Sequence, residues 1–132
     1  MDQIRKRIEA LKNELIHLRR DFHRYPELGF KEYRTAETIE NYLNKLGIET
    51  FRMSQTGVVA LLEGAKPGPV LMLRADMDAL PITEENDFDY KSQNNGVMHA
   101  CGHDAHTAML LVAAKILSEN RADKAGTVII VV

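Results

Sequence analysis

Apolar residues recur at alternating spacings of four and three through Ile4, Ile8, Leu11, Leu15, Leu18 and Phe22. That rhythm lays one apolar stripe along a helix predicted from about Asp2 to Arg24. Pro26 ends it, because proline has no amide hydrogen and its ring crowds the preceding turn. A second helical pattern, Ala36, Ile39, Leu43 and Leu46, is expected to be capped by Thr35 and closed by Gly47 at the C′ position. The period then shortens. Glu49 to Met53 and Val58 to Glu63 are β-rich runs that predict a hairpin, followed by a Gly64-Ala65-Lys66-Pro67-Gly68 turn. Val70 to Leu73 is almost wholly apolar, as expected of a strand covered on both faces, and it leads into Arg74-Ala75-Asp76-Met77-Asp78. Polar residues from Thr83 to Asn95 predict a long loop, of a kind that is usually functional or mobile in a compact domain.

Helical spacing returns with Ala108, Leu111, Val112, Ile116 and Leu117, and Thr127 to Val132 is a β-branched run. Strand, helix and strand make a βαβ unit, whose two strands should be parallel and whose crossover should be right-handed. The fold class is therefore α/β, with residues 1–132 forming one unit and no internal repeat or linker dividing it. Thr127 to Val132 reads as a central strand with no closing turn after it, so a chain truncated after a central strand, by nature or by expression, is the expectation.

Composition narrows the function classes. The 17 basic and 19 acidic residues give a formal charge of -2, which argues against a dedicated nucleic-acid binder, since such proteins carry a basic excess. No run approaches the ~20 apolar residues of a membrane-spanning helix, and the start MDQIRKRIEALKNEL lacks the apolar core of a secretory signal. A cytoplasmic location without membrane partners is the expectation. The basic residues of the first helix are interspersed with Glu9, Glu14 and Asp21, which predicts a solvated face. Cys101, the single cysteine, has no internal disulfide partner and is a buried thiol, a nucleophile or a metal ligand.

Its neighbours bear on that choice. In open α/β sheets, ligands bind beyond the carboxyl ends of the strands, beside the N-termini of the following helices. Two motifs fall there: Asp76 and Asp78 after the apolar strand, and His99-Ala100-Cys101-Gly102-His103-Asp104-Ala105-His106 at the entrance of the last helix. Thiolate and imidazole suit zinc and similar ions, and nearby carboxylates can bridge ions or orient a ligating imidazole. Gly102 gives the backbone the freedom to turn Cys101 and His103 toward one point. Taken singly, a histidine near a helix start is usually a cap or a surface residue, and a lone cysteine is usually a small buried hydrophobe. Asp76 paired to Arg74 and Asp78 in a strand-end turn are the ordinary readings of the two aspartates. Convergence of both motifs on one edge favours the metal reading, with Asp76, His99, Asp104 and His106 as candidate substrate or supporting groups. His23, Tyr25 and Glu27 have no role that composition assigns.

Arg20 through Phe30, Leu73 through Ile82 and Met98 through His106 together resemble, in order, the N-terminal motifs of a metal-dependent amidohydrolase family. That family includes hippurate hydrolase, N-acyl-amino-acid amidohydrolases and indoleacetyl-amino-acid hydrolases, within the wider aminoacylase and glutamate carboxypeptidase group. The resemblance implies part of a three-layer αβα catalytic domain with a mostly parallel mixed sheet. It implies hydrolysis of the amide bond of small N-acyl amino acids by two divalent ions, whether zinc, manganese, cobalt or nickel. It places metal ligands at Cys101 and His103 and the orienting aspartate at Asp78. The general base and the later catalytic and dimerisation or lid segments would lie outside residues 1–132, leaving these residues inactive alone. The wider group's H-x-D motif stands here as Asp76-Met77-Asp78, so Asp76 replaces a histidine ligand and Cys101 would supply the missing donor. Two other readings compete: a thiol enzyme with Cys101 as nucleophile and His103 or His106 as base, and a non-catalytic metal-binding module whose final strand drives homo-oligomerisation.

Overall fold

The computed structural model describes residues 2–132. The predicted first helix is two: α1 (Asp2–Ala10) and α2 (Lys12–Arg24), separated at Leu11. Leu11 is buried while Ile4 and Ile8 are about half exposed, so the apolar stripe enters the core only from Leu11 onward. The break costs little, because the Leu11 and Leu15 amides still bond to the carbonyls of Arg7 and Leu11.

Helix α3 (Tyr33–Lys45) ends at Gly47, whose φ of +72° is the left-handed conformation predicted for it. Its start corrects the sequence reading. Thr35 lies inside the first turn, and the cap is the Glu27 carboxylate, which accepts the amides of Arg34 and Thr35 and the Thr35 hydroxyl at 2.7–3.1 Å. A carboxylate there also meets the positive end of the helix dipole.

The hairpin forms as β1 (Glu49–Met53) and β2 (Gly57–Glu63), paired antiparallel. Strand β3 (Lys66–Arg74) begins earlier than predicted and takes in most of the expected turn, with a register irregularity between Lys66 and Val70. Helix α4 (His103–Glu119), a short 3-10 turn (Arg121–Asp123) and β4 (Ala125–Val131) complete the chain. The sheet order is β1-β2-β4-β3, with β3 and β4 parallel as the βαβ reading requires. Within these residues the sheet is mixed, with one parallel pairing among three.

Side chains alternate across the sheet. Val58, Ala60, Leu62 and Ile130 are buried against Ala36, Ile39, Leu43, Ala108 and Leu111 in one cluster with Phe22. Full burial of such side chains stabilises by roughly 1.5–3 kcal/mol each. The opposite face, with Phe51, Leu61 and Met72, is exposed. Strand β3 departs most from expectation: Val70, Leu71 and Met72 are more than half exposed instead of covered on both faces, because β3 is an edge strand here and helices pack on one side of the sheet. Among the described residues, no helix is long and apolar enough to cross a membrane.

Candidate metal site

Strand β3 delivers Asp76 and Asp78 just past its carboxyl end, and α4 begins at His103. The segment between them returns to the strand end: the Ala79 amide bonds to the Glu27 carbonyl at 2.8 Å, and Leu80 pairs with Met98 through two 3.0 Å backbone bonds. Gly102, with φ +102°, then turns the chain into α4. A side chain at that angle would be strained, so glycine is what lets Cys101 and His103 flank so tight a turn.

Both donors converge on Asp78. The His103 Nδ1 lies 3.0 Å from the Asp78 carbonyl and 3.0 Å from its Oδ1, while the Cys101 Sγ approaches the same carbonyl at 3.9 Å. An Nδ1–H donated to Asp78 leaves the His103 Nε2 lone pair free to bind an ion, the usual arrangement in which a carboxylate or carbonyl fixes a ligating imidazole. Cys101 is exposed. A soft thiolate and a borderline imidazole, both set against Asp78, are donors of the kind a zinc-type ion takes. Among the described residues, no three His, Cys, Asp or Glu side chains are close enough to hold an ion by themselves.

The other candidates divide. The Asp76 carboxylate is tied to Arg74, and its carbonyl accepts the Thr107 hydroxyl at 2.9 Å, so the strand-end reading holds for it. A cleft of about 360 Å³ beside Asp76 and Asp78 is lined by Glu32, Thr56 and Phe30 among others. His106 is exposed on α4. His99 is buried, with neither ring nitrogen hydrogen-bonded among the described residues, and burial pushes its pKa down to about 4. Asp104 turns inward and is 1% exposed.

Asp104 leads to a group the sequence reading missed. Its Oδ2 lies 2.7 Å from the His23 Nδ1 and 3.0 Å from the Arg19 Nε, and the His23 Nε2 lies 2.8 Å from the Glu84 Oε1. Glu84 also accepts the Asn86 side-chain amide and, at 2.6 Å, the Ser92 amide. Because each imidazole nitrogen faces a carboxylate, the ring is held as an imidazolium donating twice. The bond to Asp104 raises the His23 pKa against the opposing pull of burial. Burial alone would raise the carboxyls of Asp104 and Glu84, yet the bond from His23 helps keep both below the ordinary range. No local spacing signals this network, since Glu84 and Asp104 are 61 and 81 residues from His23.

The fold is shared with known proteins. Residues 72–132 match the profile of peptidase family M20/M25/M40. The chain is 48% identical over 128 residues to an N-acyl-L-amino acid amidohydrolase of Geobacillus stearothermophilus, covering 96% of this chain and 35% of that protein. It is 44% identical over 123 residues to a thermostable carboxypeptidase of Saccharolobus solfataricus, covering 92% of this chain and 31% of that protein. A dinuclear metal-binding M20 peptidase from Bacillus subtilis superposes with a TM-score of 0.89 at 42% identity, over 93% of this chain and 35% of the other. The chain thus spans about a third of the length of the relatives it matches.

Proposed function

From the likeness of residues 72–132 to peptidase family M20/M25/M40, and of the chain to about a third of the length of an amidohydrolase relative, we propose that it supplies part of a two-metal site hydrolysing the amide bond of N-acyl amino acids. The observation that carries this reading is the convergence of the Cys101 thiol and the His103 imidazole on Asp78 beyond the carboxyl end of β3. Cys101 and His103 are the ligands, and Asp78 orients His103 through Nδ1. When bound, divalent ions supply Lewis acidity toward the scissile carbonyl and a nucleophile usable at neutral pH.

The chain's own residues define what remains to be supplied. Asp78 is engaged with His103, Asp76 with Arg74 and Asp104 with His23. None of the three stands free to take a proton from water as a general base must. The ligand set and the base are completed by residues outside these 132, and these residues alone turn over little or no substrate. The thiol-enzyme reading has less support, because the Cys101 Sγ approaches a carbonyl and no imidazole that could activate it.

Cobalt(II) substitution tests the assignment. The purified protein should develop a thiolate-to-cobalt charge-transfer band in the near ultraviolet, lost in Cys101→Ser and weakened in His103→Ala. A band that survives Cys101→Ser unchanged refutes the assignment. Trapping of Cys101 by a substrate-like electrophile regardless of chelator would instead support the nucleophile.

A further inference from the structure

The two halves of the candidate site belong to distant points of the chain. Asp78 follows β3, Cys101 precedes α4, and the residues joining them, 79–100, contain no regular strand or helix. A connection of that length sampling many conformations would scatter the donors, since ordering a loop costs roughly 1–2 kcal/mol for each residue fixed. Something must hold it before an ion can gain from the arrangement.

Most of its ties run to the end of α2 and the residues that follow. The Gln93 amide bonds to the Arg24 carbonyl at 2.8 Å, the Asn94 side chain to the Pro26 carbonyl at 3.0 Å, and the Arg24 guanidinium to the Asp89 carbonyl at 3.0 Å. Phe88 and Tyr90 stack at 4.1 Å and lie 5.8 and 5.7 Å from the His23 ring, with Arg20 over Tyr90 at 4.6 Å. The tie through His23 is different in kind. It reaches the loop at Glu84 and the first turn of α4 at Asp104, the residue next to His103. All three side chains are at most 3% exposed.

We propose that His23 is a positioning residue of this site: bonded on one side to Glu84 and on the other to Asp104, it fixes the connection between Asp78 and Cys101 so that the thiol and the His103 imidazole stay convergent. Two imidazolium bonds to carboxylates are charge-assisted and hold direction as well as distance. Arg19 supplies the second positive charge against Asp104, so the four groups balance and none is left buried alone. The polar contacts of His23 among the described residues are with Asp104 and Glu84 and not with Cys101 or His103. It acts through Asp104 on the turn that carries His103 and through Glu84 on the loop that carries Cys101. This inference rests on the reading of Cys101 and His103 as ligands.

The test uses cobalt(II) affinity under chelator buffering, the thiolate charge-transfer band, and amide hydrogen exchange across 83–95, at a temperature where every variant is folded. His23→Gln keeps a polar group but cannot bridge two carboxylates as a cation. It should bind cobalt about tenfold more weakly, the low end of the loss typical for groups that orient a ligand, and its exchange across 83–95 should accelerate. Glu84→Gln, which leaves the bond between His23 and Asp104 in place, should change both in the same direction by less. A histidine with a merely structural role would lower stability and leave cobalt affinity unmoved.

Wild-type affinity and exchange in folded His23→Gln overturn the proposal, and if that variant does not fold, the same result in Glu84→Gln overturns it. Failure of the wild type to give any thiolate band would overturn the ligand assignment itself, and the positioning role with it. A band present in the wild type, with cobalt affinity unaltered in both variants, overturns the positioning role alone.

Discussion

The first turn of α4 has two sides built on opposite terms. Toward the strand ends, Cys101 is exposed and His103 is held by Asp78 alone. Toward the interior, Asp104 is enclosed by His23, Arg19 and the Ala105 amide, and Glu84 by His23, Asn86 and Ser92. One side leaves donor capacity unused, and the other leaves almost none. A site that must receive an ion cannot satisfy its own donors, so the rigidity it needs comes from the next row of residues inward.

The steepest way to break that contrast is on the inner side. Asp104→Ala strips a carboxylate from two cations and leaves the imidazolium and the Arg19 guanidinium facing one another with no anion between them. Removing one partner of a buried pair typically costs about 3–5 kcal/mol, and urea denaturation should show a loss of that order. A loss below about 1 kcal/mol would mean that solvent screens the network.

Acidity gives a gentler probe of the same side in metal-free protein. His23 has its pKa raised above the ordinary 6.5, so its contribution is fully present below the unfolded value and fades as pH rises through the folded one. His99, whose ring lies 6.5 Å away, is driven the opposite way by burial, to about 4. Its contribution is present above the unfolded value near 6.5 and is lost as pH falls toward 4. Stability should therefore peak near the ordinary histidine pKa of about 6.5 and decline on both sides. Denaturation midpoints measured across pH should lose their alkaline decline in His23→Gln while keeping the acid one. An unchanged alkaline limb in that variant would remove His23 as its source.

The outer side of the turn was legible from composition and the inner side was not. Cys101 and His103 stand out because ligand types cluster within a few residues at a helix entrance, while the choice of Asp78 over Asp76 rests on the family resemblance. The hairpin, the βαβ unit and Gly47 follow from periodicity and backbone preference, which are local. His23 and Glu84 meet across the fold, and no spacing rule relates them. The same limit explains Glu27, which caps α3 from outside the helix in place of the Thr35 that local preference favours. Strand β3 failed for a different reason. An apolar run reports what a strand is suited to be packed against, and in residues 2–132 the helices lie on one face only and β3 is at the sheet edge, so Val70 and Met72 on the open face and Leu71 at the edge remain exposed.

The smallest expected effect sharpens the comparison from the other direction. Cys101→Ser replaces an exposed thiol whose one polar contact among the described residues is 3.9 Å long. Substitutions of that kind usually stay within ±0.5 kcal/mol, and the urea midpoint of metal-free protein should barely move, while the cobalt thiolate band vanishes. Cys101 then carries metal binding without stability, whereas Asp104 carries stability and, through the turn it anchors beside His103, metal affinity as well. A drop in stability of more than about 1 kcal/mol in Cys101→Ser, on the scale of a packed side chain, would place the sulfur in apolar packing. That result would take away the accessibility on which its role as a ligand depends.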